Sequence, residues 1–147
     1  MQSKQITFKA LLFFLVIFIS ATQNVKAQKS LTGEWKMDWQ KIYVAMTQPE
    51  KQRFDKMPQQ MKNDISSNYS SKQFHFKQDN IIEVRWQGRS GEKIQTGTWE
   101  LYGSVVTITI DEVPKQYTMS RHNNVLTLEI QEKMETALVS KLVFVRK

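Results

Sequence analysis

The sequence predicts an all-β fold: an eight-stranded antiparallel up-and-down barrel with a helical insertion between strands 1 and 2. Three observations lead there. Beyond residue 28, apolar residues recur at every second position in short runs broken by turn residues, which is the signature of strands joined by hairpins. Only residues 47–68 carry helical spacing instead. The connections after that stretch are too short for the crossover helix of a parallel pair, so successive strands run antiparallel. Eight strands in this order lose their exposed edges when the first pairs with the last.

The first strand is LTGEWKMDW, residues 31–39, in which Leu31, Gly33, Trp35, Met37 and Trp39 share one face. The helical stretch opens with a capping box, Thr47-x-x-Glu50, and sets Phe54, Met57, Met61 and Ile65 in one stripe. Pro58 cannot donate to the carbonyl four residues back, so the helix breaks near Met57 and restarts at Pro58. Seven strands follow, at residues 72–77, 81–87, 93–101, 105–110, 116–120, 125–130 and 138–145. The loops QDN, QGRSGE, YGS, DEVP, RHNN and QEKMET supply the Gly, Asn, Asp or Pro that a reversal needs. The alternation points Phe74, Phe76, Ile82, Val84, Trp86, Trp99, Val106, Ile108, Tyr117, Leu126, Leu128, Leu142 and Phe144 inward. Val105, Val139, Val143 and Val145 fall on the outer face, where the Phe54/Met57/Met61/Ile65 stripe is expected to cover them.

Residues 1–27 read as a cleaved export signal, with Lys4 and Lys9 preceding an apolar run at 10–19 and a small residue, Ala27, at the cleavage point. Ten apolar residues fall short of the roughly 20 that span a bilayer. The expectation is therefore a periplasmic or secreted protein with no stable membrane span after cleavage. Of 147 residues, 120 remain from Gln28 on, enough for one domain at 28–147. Losing Lys4, Lys9 and Lys26 takes the formal charge from +7 to +4. The remaining bases are interspersed with acids, and no stripe of the kind that binds nucleic acid results. With no cysteine there is no disulfide.

Gly33-Glu34-Trp35 on the first strand is similar to the G-x-W word of the lipocalins and their calycin relatives. In order along the chain, TQPE, FHF, TGTW and VFVRK resemble the phrases of small secreted bacterial lipocalin-like proteins, and the resemblance extends from about residue 31 to 147. It implies a barrel whose cup takes a hydrophobic small molecule. It also implies that the tryptophan of the first word, Trp35, packs at the closed end under a basic residue of the last strand, here Arg146. The chain departs from typical lipocalins in being shorter, in lacking a disulfide and further motifs, and in carrying its helix after the first strand.

Most chemistries lack their residues. His75 and His122 have no partner at metal-ligand spacing, so no metal site is expected. There is no G-x-S-x-G elbow and no P-loop, and Glu83, Glu100 and Glu129 fall on the outer face, away from any desolvated pocket. Neither catalytic residues nor a cofactor is assigned, and a non-enzymatic monomer is expected. An eight-stranded barrel is just wide enough to be filled by side chains or to hold one small ligand. Two readings follow: a barrel binding an apolar or amphipathic molecule, or a filled envelope module working through surface charges such as Glu83, Arg85 and Arg89. If there is a cup, Trp39, Phe76, Trp86 and Tyr117 are expected to line it. The words TGEW and TGTW place Gly33, Trp35, Gly97 and Trp99 on two strands of one sheet, with the tryptophans as interior plugs.

Overall fold

In the computed structural model, residues 31–132 and 137–147 are described. Eight antiparallel strands close into one barrel: β1 (Gly33–Met37), β2 (Gln73–Phe76), β3 (Ile81–Gly88), β4 (Gly91–Tyr102), β5 (Val105–Ile110), β6 (Val113–His122), β7 (Val125–Ile130) and β8 (Lys141–Arg146). Three helices intervene between β1 and β2: α1 (Trp39–Ala45), α2 (Gln48–Asp55) and α3 (Gln59–Ser71). All of them belong to one compact unit, Thr32–Lys147. The barrel shuts where β1 meets β8, with Trp35 opposite Arg146 and Met37 opposite Phe144.

The helical layer is longer than its apolar spacing predicts. The first strand ends at Met37, not Trp39, because Asp38 turns the chain: its carboxylate accepts from the Lys41 amide at 3.1 Å and caps α1. Ile42 is then fully buried, and α1 packs against β8. It is α1 that lies on the outer face of β8, where Val143 is 5% exposed. Of the expected covering stripe, Phe54 is buried, Met57 and Ile65 are half-buried, and Met61 is exposed. The break falls as the proline demands, with α2 ending at Asp55 and Pro58 standing at the N-cap of α3.

The hairpins are tighter than their sequences suggest. Asp111 and Glu112 both adopt positive φ, 51° and 63°, and join Ile110 to Val113 as a two-residue turn of the type I′ sort, so Val113 and Pro114 lie within β6. Gly88 pairs with Gly91 across Arg89-Ser90. His122 closes β6, opposite Val125, and the reversal is left to Asn123-Asn124. Of the QEKMET connection, residues 133–136 lie outside the described residues.

One end of the barrel is packed solid. Trp35, Phe76, Trp99, Leu126 and Phe144 are inaccessible to solvent, and the rings of Phe76 and Trp99 meet in a T-shaped pair at 5.5 Å and 88°. The Trp99 indole donates to the Lys77 carbonyl at 3.0 Å, which satisfies its one polar atom inside the core. Gly97 is required by a close approach: a β-carbon there would run into the Thr109 carbonyl oxygen. Gly33 has φ +127°, and a β-carbon on it would come within 2.8 Å of the Arg146 guanidinium. That guanidinium donates to the Thr32 carbonyl at 3.0 Å and lies 5.3 Å from the Trp35 ring centre, while Arg121 stands 5.4 Å from the same ring. Two cations thus sit on the tryptophan of the G-x-W word at the closed end.

Candidate ligand-binding site

The strands place different layers at the two ends. Going up from the plugged base, the inward position two residues from Trp35 is Met37, the one before Phe76 is Phe74, and the one after Ile82 is Val84. The same step leads from Val106 to Ile108 and from Phe144 to Leu142. Met37, Val84 and Leu142 are smaller than Trp35, Ile82 and Phe144 beneath them. They leave a cavity of about 650 Å³, within the range of small-molecule sites. Its walls include Met37, Phe74, Val84, Ile108, Tyr117 and Leu142.

The rim is more polar. Gln95, Asp111 and Lys115 come from β4, the β5–β6 turn and β6; Asn68, Tyr69 and Lys72 come from the end of α3 and the entry to β2. Lys72 continues the inward series of Phe74 and Phe76, as Lys115 continues that of Tyr117. The Lys72 ammonium lies 5.2 Å over the Tyr69 ring. Burial raises the pKa of both the Tyr69 and Tyr117 phenols, and for Tyr117 the neighbouring Tyr69 adds to the effect. Asp111 accepts from the Gln95 amide at 2.6 Å.

The four aromatic residues expected to line a cup are distributed unequally. Trp86 and Tyr117 stand in the cavity wall. Phe76 does not: it is two positions too deep and is consumed in the plug against Trp99. Trp39 is outside the barrel altogether, because the Asp38 cap puts it on α1, where its ring packs at 5.1 Å on Phe54 and 5.4 Å on Tyr69. It borders a shallower groove with Lys36, Gln40 and Ser67. Alternation of apolar residues does not mark Lys72 or Lys115, since each is a charged residue at the end of an inward series, and Lys115 precedes the expected strand at 116–120. Alternation likewise misses α1, although Asp38 followed by Trp39, Ile42 and Met46 is a capped helical spacing.

The one buried charged side chain among the described residues is Glu50, 6% exposed. Its two oxygens accept from the Thr47 and Ser140 amides, each at 2.6 Å, so it ties the start of α2 to the residue preceding β8. Burial works against its charge and is the largest single influence, yet the hydrogen bonds from Thr47 and Ser140 together outweigh it and hold the carboxyl below its ordinary range. A general acid needs the opposite shift, so Glu50 is an anchor. Outside the barrel, Glu83 bridges Lys77 and Arg85. Among the described residues no three His, Cys, Asp or Glu side chains gather as a metal site, and no helix is long and apolar enough to cross a membrane.

No curated protein matches the chain. A family model described as a lipocalin-like domain matches residues 31–131, which takes in β1 through β7 and all three helices. With that match over more than half of the chain, and with a closed eight-stranded barrel carrying its helices after β1, the protein belongs to the lipocalin-like domain family.

Proposed function

We propose that the protein is an exported, non-enzymatic barrel that binds one small apolar or amphipathic molecule in the cup above the tryptophan plug. The observation that carries this reading is the cavity of about 650 Å³ with apolar walls and a polar rim. A barrel that worked only through its outer surface would have no use for such a space, and a filled interior would have closed it. Trp86 and Tyr117 are the ring contacts offered to the ligand. The supporting context is the lipocalin-like family itself, whose barrels are built around such cups.

The test is titration with N-phenyl-1-naphthylamine, a neutral apolar dye that brightens on leaving water. One equivalent is expected to bind. The variant Val84→Trp, which puts an indole into the cup wall, is expected to weaken binding about tenfold or more by filling the volume. Circular dichroism and thermal melting show whether the barrel persists. Absence of dye binding, or a folded Val84→Trp protein with unchanged affinity, defeats the reading. Export after cleavage at Ala27 is checked separately by intact mass: retention of residues 1–27 in exported protein would refute it.

A further inference from the structure

We propose that the molecule bound in the cup is an anionic amphiphile, its acidic head held between Lys72 and Lys115 beside the Tyr69 and Tyr117 phenols and its apolar part lying deeper in the barrel. This rests on the reading of the cup as a ligand site and adds the charge of the ligand to it.

The argument begins with where the two lysines stand. A lysine on a barrel's outer wall is solvated whatever its neighbours. Lys72, half-buried just before β2, and Lys115, exposed on β6, instead share the inward parity of their strands, and both border the cavity. Three lysines outside the cup have acidic partners, Lys77 with Glu83 at 3.1 Å, Lys141 with Glu129 at 3.5 Å and Lys147 with Glu34 at 3.8 Å, whereas Lys36 and Lys93 lie away from the cup and form no ion pair among the described residues. Among the described residues, neither Lys72 nor Lys115 forms an ion pair. The one carboxylate of the described rim, Asp111, is engaged by Gln95.

The cup therefore brings two like charges together, one half-buried at Lys72 and one exposed at Lys115, an arrangement that favours an anion entering from solvent. Burial lowers the pKa of the Lys72 ammonium, and the charge of Lys115 lowers it further. The phenols supply the second half of the site. Neither the Tyr69 nor the Tyr117 hydroxyl is committed to a protein acceptor among the described residues, and as phenols both are available as donors at neutral pH, with burial raising their pKa further. Two ammonium groups and two hydroxyl donors around the mouth of an apolar cup match an oxyanion on a hydrocarbon body. A cationic amphiphile would meet the same charges as repulsion, and a neutral one would leave them unanswered.

The experiment compares dodecanoate, dodecyl phosphate, dodecanol and dodecyltrimethylammonium, each below its micellar concentration, by displacement of N-phenyl-1-naphthylamine from the full chain. Dodecanoate or dodecyl phosphate is expected to bind about tenfold or more tighter than dodecanol, with the margin shrinking in high salt because the rim is partly exposed. The ratio between the two anions distinguishes a carboxylate head from a phosphate head. The double variant Lys72→Met/Lys115→Met is expected to lose that margin while still binding dodecanol, and Lys141→Met on the outer wall is expected to keep it. Equal binding of dodecanol and both anions overturns the anionic head and leaves the cup intact. Retention of the margin in the double variant also overturns it. If no compound and no dye binds, both readings fall together.

Discussion

Replacing Glu50 with glutamine tests whether one carboxylate holds the helical insertion to the barrel. The wild-type side chain is 6% exposed and uses both oxygens, one for the Thr47 amide and one for the Ser140 amide, at 2.6 Å each. Glutamine keeps one acceptor and turns an NH₂ toward the other amide. One charge-assisted hydrogen bond is lost, worth about 1.5 to 3 kcal/mol, and a buried N–H is left without a partner. Removal of the cost of burying a charge offsets part of this, and a net loss of about 2 kcal/mol is expected. With a urea slope of about 2 kcal/mol/M, the unfolding midpoint should fall by about 1 M at pH 7. The pH dependence identifies the cause. Because the folded carboxyl titrates below its ordinary value of 4.5, its contribution is complete above that value and is lost as pH falls through the lower folded value. The gap between wild type and Glu50→Gln should therefore narrow as urea titrations are moved from pH 7 to pH 3 and below. A gap under about 0.5 kcal/mol at pH 7, or one that stays constant on acidification, would refute the anchor.

Three further outcomes follow from the plug and the rim. Gly97→Ala should destabilise by about 3 kcal/mol, because the added methyl meets the Thr109 carbonyl within the β4–β5 pairing; a melting temperature unchanged from wild type would show that the strands can part there. Arg146→Met should cost about 1 kcal/mol in urea unfolding, since the guanidinium is exposed and its contacts are the Trp35 face and the Thr32 carbonyl; a loss no larger than that of Lys147→Met would remove any special role. Dodecanoate affinity should hold through neutral pH and fall on the alkaline side, beginning below the usual lysine range because Lys72 gives up its proton early. The titratable groups lining the cup are Lys72, Lys115, Asp111, Tyr69 and Tyr117, and Lys72→Arg should push that decline to higher pH.

Strand count, order and closure were legible because period-two alternation is a property of the chain itself, and short turns leave antiparallel neighbours as the only geometry. The capping box and Pro58 were legible for the same reason: each acts within four residues. What alternation could not supply was height along the barrel. Phe76 and Tyr117 share an inward parity, yet one lies in the plug and the other in the cup wall, and only the relative stagger of the strands distinguishes them. The α1 helix was hidden because WKMDW alternates cleanly, and the Asp38 cap overrides that pattern at one residue. Val143 shows the consequence: its parity faces outward as expected, and its burial comes from α1, which alternation does not reveal.

Closure of β1 on β8 also governs how the barrel forms. The bond from the Arg146 guanidinium to the Thr32 carbonyl spans 114 positions of sequence, so the seam is the pairing with the greatest loop-closure entropy against it. The hairpins from β2 through β8 are local and can assemble first, leaving the G-x-W strand to seal the gap. The family match ends at residue 131, before β8 begins, and a chain trimmed there would leave β1 and β7 as open edges, poised to recruit a strand from another copy. The last six-residue strand is thus what separates a closed barrel from a sheet with two open edges, and Arg146 and Trp35 are the latch at that seam.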